Sequence, residues 1–128
     1  MPLVRISLLR GQSRPYRAAI VDGIYQALRE TFNVPDEDRF MVLTEHDPDE
    51  LVFSRSYMDI ARSDGFVLIQ ITISNTRGQA QKNALFAAIV EQLGRDPGVR
   101  PQNVMISLVE GDKGNWSFGH GLAQYVTP

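Results

Sequence analysis

The sequence predicts an α+β fold in which two β-α-β units lie side by side as one four-stranded sheet with both helices on a single face. Three observations predict it. The first is a weak internal repeat: Ile6-Ser7 followed by Arg10-Gly11-Gln12 returns as Ile73-Ser74 followed by Arg77-Gly78-Gln79. Ala18-Ala19-Ile20-Val21-Asp22 returns as Ala87-Ala88-Ile89-Val90-Glu91, and Val34-Pro35-Asp36 echoes Val99-Arg100-Pro101. The order is kept and the offset is nearly constant, which short chance identities rarely achieve. The second is that each half reads strand, helix, strand in its hydrophobic period. The third is that each strand pair is joined through a helix, which demands parallel pairing and a right-handed crossover.

In the first half, Pro2 to Leu9 alternates, with Val4, Ile6 and Leu8 on one face and Arg5 and Ser7 on the other. Ser13 is placed to cap a helix whose first turn tolerates Pro15, because early helical amides lack intrahelical partners. Tyr16, Ile20, Ile24, Ala27, Leu28 and Phe32 form its apolar stripe, and Arg14, Arg17, Asp22, Gln26, Arg29 and Glu30 its wet side. Val34-Pro35-Asp36 ends the helix, and Phe40 to Thr44 reads as the second strand. In the second half, the nearly unbroken apolar run from Phe66 to Ile73 reads as a strand buried on both faces. A helix follows over about residues 79–93, stopped by Gly94 and Pro97, and Val104 to Val109 is the returning strand. The halves, about 2–45 and 66–109, are joined by a polar connection at 46–65 and followed by a glycine-rich tail at 110–128.

One domain suits the 128 residues, and a content of 43% hydrophobic and 22% charged residues is that of a globular chain. A net charge of −2 gives no footprint for nucleic acid. No run approaches the ~20 apolar residues of a membrane span, and the alternating, charged start does not resemble a signal peptide, so a cytoplasmic protein is expected. Without cysteine there is no disulfide, thiolate nucleophile or cysteine metal site, and His46 and His120 fit no ligand spacing. The glycines at 111, 114, 119 and 121 form no phosphate loop. The reading therefore assigns no cofactor and no metal. A sheet with both helices on one face leaves the other face bare. Either it is covered by association with other copies, which this reading prefers, or it is solvated in a ferredoxin-like monomer.

The candidate chemistry begins at Pro2. A small second residue permits removal of Met1, which would leave a rigid secondary amine at the start of a core strand. An α-amino group titrates at ~8, and burial or a nearby cation lowers that toward neutrality, where proton transfer is best matched. Arg77 follows the strand ending at Ser74, at the mouth of the second helix, where free amides and a guanidinium can hold a carboxylate. It is equally read as a solvated loop arginine. Asp38 can position a water or shuttle a proton, or be one more charge in Asp36-Glu37-Asp38. Trp116 and Phe118 can wall a small apolar pocket, or simply pack, like Tyr125 in the same tail, on their own domain or a neighbour.

These residues together resemble a known family. Met1-Pro2, the duplicated strand–helix–strand, Asp38-Arg39, Ile73-Ser74 with Arg77, and Leu108-Val109-Glu110 followed by Trp116-Ser117-Phe118-Gly119 are similar, end to end, to the malonate semialdehyde decarboxylase branch of the tautomerase superfamily. The resemblance implies catalysis by Pro2, a supporting role for Asp38 in decarboxylation or hydration, and a carboxylate and carbonyl contact from Arg77. It implies a hydrophobic wall of Trp116, Phe118 and Tyr125, and a homotrimer with sites near subunit boundaries. One departure stands out. The family pattern has arginines flanking a proline after Ile-Ser, whereas here the triplet is Asn75-Thr76-Arg77. Losing that charge removes a contact worth roughly 1.5–3 kcal/mol, though Asn75 can still hydrogen-bond a carbonyl or enolate oxygen. The function expected is keto–enol tautomerisation of small oxo acids, with decarboxylation or hydration as further modes. Malonate semialdehyde decarboxylase proper and a non-catalytic binding module are the alternatives.

Overall fold

The structure, a computed structural model, describes residues 1–127. Strand β1 (Leu3–Leu9) leads into helix α1 (Arg14–Phe32) and strand β2 (Phe40–His46); strand β3 (Val67–Ser74), helix α2 (Gln79–Arg95) and strand β4 (Val104–Gly111) repeat the pattern. The four strands form one sheet in the order β2-β1-β3-β4. β1 and β2 are parallel, as are β3 and β4, while β1 and β3 run antiparallel down the middle. The repeat is thus a structural duplication about the β1–β3 seam. Some boundaries differ slightly from expectation: β2 runs on to His46, α2 to Arg95 and β4 to Gly111, while β1 and β3 each start one residue later and β3 ends at Ser74.

The helix ends follow local chemistry. Ser13 Oγ accepts the Tyr16 backbone N–H at 3.2 Å, satisfying one of the amides left free at the start of α1. Asn33 closes α1 in the left-handed region, a conformation asparagine tolerates better than most residues. Both helices pack on the face formed by Val4, Ile6 and Leu8 of β1 and Val67, Ile69, Ile71 and Ile73 of β3, all essentially inaccessible to water. Ile20, Ile24, Ala27, Leu28 and Phe32 of α1 meet Leu85, Ile89 and Leu93 of α2 above it. Gly23 sits in the middle of α1 although glycine costs about 1 kcal/mol there relative to alanine. The reason is proximity: a Cβ at this position would lie 2.9 Å from Leu93 Cδ2 and 3.4 Å from Gln92 Cβ, so its absence lets the helices close.

The opposite face of the sheet is uncovered. β3 is not buried on both faces: Leu68 and Thr72 are half-buried and Gln70 is exposed, because nothing in a single chain lies over them. Across this face run the rows Phe40–Leu3–Thr72–Val109 and Val42–Arg5–Gln70–Ser107. The connection 47–65 reaches the far end of the face, where Phe53 stacks on Phe66 at 4.2 Å between ring centroids. No helix among the described residues is long and apolar enough to cross a membrane.

Candidate active site

Strand polarity gathers the candidate residues at one end of the sheet. β1 and β2 begin there, so Pro2 lies close to the Asp38-Arg39 segment that enters β2. β3, antiparallel to β1, finishes there and delivers Ser74 to Arg77; β4, parallel to β3, delivers the 111–116 segment. α1 ends and α2 starts at the same edge. Pro2 is buried, and the half-buried Met1 lines a cleft of about 210 Å³ with Ser74, Thr76, Arg77, Lys113 and Tyr125.

Asp38 is the anomaly of the site. It is only 6% exposed, yet neither carboxylate oxygen has a hydrogen-bond partner. Buried polar groups are nearly always satisfied, so an orphaned carboxylate calls for an explanation in ligand binding or catalysis. Its backbone is held by an amide bond from Asp38 N–H to the Pro35 carbonyl at 3.1 Å. Burial pushes its pKa above the ordinary carboxylate value, while the terminal amine and Arg77 pull it back. The Met1 amine responds in kind: burial lowers its pKa, Asp38 opposes this, and Arg77 and Lys113 lower it further. These groups therefore share one electrostatic environment.

Arg77 is no free loop arginine. One N–H of its guanidinium donates to the Phe32 carbonyl at the end of α1 (2.9 Å), and the guanidinium lies over the Phe32 ring at 4.4 Å. Stacking and anchoring fix its plane and leave the rest of its donor fork available to a ligand. Burial lowers its pKa from a very high starting value, with Tyr125 and Asp38 acting the other way, so it stays charged. Lys113, in a short 3-10 turn after β4, forms no ion pair among the described residues. With the amine, Arg77 and Lys113 facing a single carboxylate, the cleft favours an anion.

The aromatic residues of the tail assemble beside it. Trp116 stacks on Phe118 at 5.5 Å, Phe118 meets the Tyr125 ring edge-on at 5.0 Å, and Phe118 also approaches Phe40 at 6.4 Å. Tyr125 reaches into the cleft. Trp116 lines an adjoining groove of about 320 Å³ over Leu3, Thr72 and Val109 on the uncovered sheet face. Asn75 lies apart: it is exposed, its amide donates to Asp112 at 2.8 Å, and its backbone N–H donates to the Gly111 carbonyl. It does not line the cleft, whereas Thr76, noted in the sequence only as the replacement of a proline, and Lys113, not noted at all, do. Nothing in the sequence distinguished Lys113, because its place depends on where β4 ends.

Two other features do not join this site. A larger cavity of about 460 Å³ beneath the 47–65 connection is lined mostly by apolar residues together with Ser54, Tyr57 and Arg62, and by no carboxylate or histidine. Asp47, Asp49 and Glu50 lie near one another beyond the opposite end of β2, but Asp47 pairs with Arg10 and Glu50 accepts the Asp47 backbone N–H.

The fold is that of the tautomerase superfamily, and the chain belongs to the tautomerase family: two tautomerase enzyme models match it, over residues 38–119 and 2–56. "Probable tautomerase YusQ" of Bacillus subtilis (strain 168) is 32% identical, with 98% of this chain and 99% of that protein aligned. "Probable tautomerase YrdN" of the same organism is 28% identical over 99% of this chain and 98% of its own length. Within the superfamily the chain falls in the malonate semialdehyde decarboxylase-like branch. A malonate semialdehyde decarboxylase studied as wild-type, alanine-variant and inactivated forms superposes with a TM-score of 0.90 at 31% identity, covering 97% of this chain and 95% of that one. The FG41 malonate semialdehyde decarboxylase inhibited by 3-bromopropiolate gives 0.91 at 39%, covering 97% and 94%. A fused 4-OT that forms an asymmetric trimer shares the fold at a TM-score of 0.78 and 20% identity, covering 97% and 98%.

Proposed function

We propose that Met1 is removed and that the imino nitrogen of Pro2 then acts as general acid–base catalyst on small oxo acids, with keto–enol tautomerisation as the primary reaction. The observation that carries this reading is the cleft in which the start of β1, the unpartnered Asp38, Arg77 and Lys113 meet. Met1 lines that cleft, so its removal opens the space to the proline nitrogen. At the Met1 amine burial lowers the pKa, Asp38 opposes this, and Arg77 and Lys113 lower it further; the same surroundings acting on the Pro2 nitrogen would favour the neutral amine that proton removal requires. Arg77 anchors the substrate carboxylate, and Lys113 supplies the second positive charge that Asn75 does not. The cofactor-free chemistry needs only these groups, working at the boundary between copies of a homotrimer.

Decarboxylation is the second reading, favoured by Asp38, whose charge supports a protonated amine, and by the kinship with malonate semialdehyde decarboxylases. The two modes demand opposite charge on Pro2. A pH–rate profile separates them: tautomerisation of phenylenolpyruvate rises with pH as the amine loses its proton, whereas decarboxylation of malonate semialdehyde falls. Pro2→Ala should lower the rate by about 10²–10⁴-fold. Arg77→Ala and Lys113→Ala should each lower kcat/KM about ten- to a hundredfold. Intact-mass measurement showing Met1 retained would block the proline amine and defeat the proposal, and full activity in Pro2→Ala would defeat it by placing the catalytic group elsewhere.

A further inference from the structure

The duplication supplies a control for Asp38. In the second half Asn103 holds the corresponding place: its backbone N–H donates to the Arg100 carbonyl at 2.9 Å, as that of Asp38 donates to Pro35, and both side chains are buried. Asn103 has partners for its side chain. Its Oδ1 accepts the Ser63 backbone N–H and its Nδ2 donates to Ser63 Oγ, both at 2.9 Å, and those bonds fix its direction. Asp38 makes no such bond. Water would solvate its carboxylate far better than an apolar surrounding does, so something other than the carboxylate must keep it turned inward. That restraint has to act on its backbone.

Tyr25 is the group placed to supply it. The residue is buried on α1, and its hydroxyl donates to the Asp36 carbonyl, in the turn that leads to Asp38. The Arg39 guanidinium lies over the same ring at 4.7 Å while pairing with Asp22, and that of Arg29 at 5.8 Å while pairing with Asp36. Those ion pairs are exposed and contribute little, so the part-buried hydroxyl bond is the firmer tie. Counted from the first residue of each helix, the counterpart of Tyr25 in α2 is Val90, which cannot hold a carbonyl. The phenol thus occurs in the half whose buried side chain is unpartnered and is missing from the half whose side chain is bonded. We propose that Tyr25 is a positioning residue: by gripping the Asp36 carbonyl it fixes the 36–39 turn and holds the Asp38 carboxylate in the cleft. Its consequence for turnover rests on the proposed reading of Asp38 as a working group of that cleft, whereas the placement of Asp38 is measurable without it.

The test is titration of the Asp38 carboxyl by NMR, on the full chain with isotope-labelled aspartate. In wild type, burial holds this carboxyl above the ordinary 3.8 against the pull of the terminal amine and Arg77. Tyr25→Phe keeps the ring and both cation contacts but frees the turn, so the midpoint should fall back toward 3.8 as the carboxylate reaches water. Ser13→Ala weakens the same helix at its other end and should leave the Asp38 titration in place. With malonate semialdehyde, Tyr25→Phe should lower kcat by up to about a hundredfold and change KM little, because Arg77 is untouched. An Asp38 midpoint unchanged in Tyr25→Phe, or one moved equally by Ser13→Ala, overturns this inference. The titration needs no turnover, so that failure is distinct from failure of the catalytic reading, which would show as a wild type inactive on oxo acids.

Discussion

Asp38 stores a measurable penalty in the folded chain. Because burial raises its pKa, the folded state holds that proton more tightly than the unfolded state does, and stability declines as pH rises from the ordinary value of 3.8 through the raised one. Below that window the penalty is absent. Asp38→Asn removes the titration and breaks no side-chain hydrogen bond, since the carboxylate makes none. The variant should melt several degrees higher than the parent at pH 7, and the two should converge as pH falls toward the unperturbed carboxylate range; its activity should be lower. Melting curves across pH decide this, and a lower melting point for Asp38→Asn at neutral pH would contradict it. The same residue shows the limit of reading at this scale. Local sequence set Asp38 among three adjacent acids, and only the family resemblance singled it out; in space Asp36 lies beside Arg29 and Glu37 is exposed, while Asp38 alone turns inward.

At the scale of elements, local chemistry made the helices predictable. The α1 stripe from Ile20 to Phe32 is buried as its spacing requires, and Ser13 caps the helix as its position before Pro15 anticipates. Ser13→Ala should cost about 1 kcal/mol, within a range of about 0.5–2, read as a small drop in the denaturant midpoint without a change in slope. Ile89→Ala, by contrast, opens a hole between α2 and the sheet at a fully buried position and should cost about 2–5 kcal/mol. β3 was the element least well read. Its nearly unbroken apolar sequence was read as burial on both faces, whereas the period-2 burial of Val67, Ile69, Ile71 and Ile73 appears only once the helices are seen to occupy one face.

For the whole molecule, the uncovered face is the unfinished part. Phe40, Val42, Met105 and Val109 stand 50%, 44%, 48% and 42% exposed on it, and Arg5 lies in the row between Val42 and Gln70 with no ion pair among the described residues. Covering this face with other copies buries apolar area and puts the Trp116 groove near a neighbouring subunit. Light scattering should then report a particle of three times the 14.4 kDa chain. Val42→Asp, which would bury an unpaired carboxylate at that contact, should shift the population to monomer while leaving the helix signal in circular dichroism intact. A wild-type monomer at micromolar concentration would refute the trimer.

The sequence by itself determined the four strands, the two helices and the duplication, because each depends on short-range periodicity and end chemistry written in neighbouring residues. It also singled out Pro2, Asp38, Arg77 and the aromatic tail. What only the tertiary structure decided was their meeting. The antiparallel pairing of β1 with β3 brings the start of one strand against the end of the other, so residues about seventy-five positions apart share a cleft. No periodicity encodes that choice; it follows from the two halves burying one common core. The parallel pairing of β4 with β3 likewise placed Lys113 in the cleft with Arg77 and set Asn75 against Asp112.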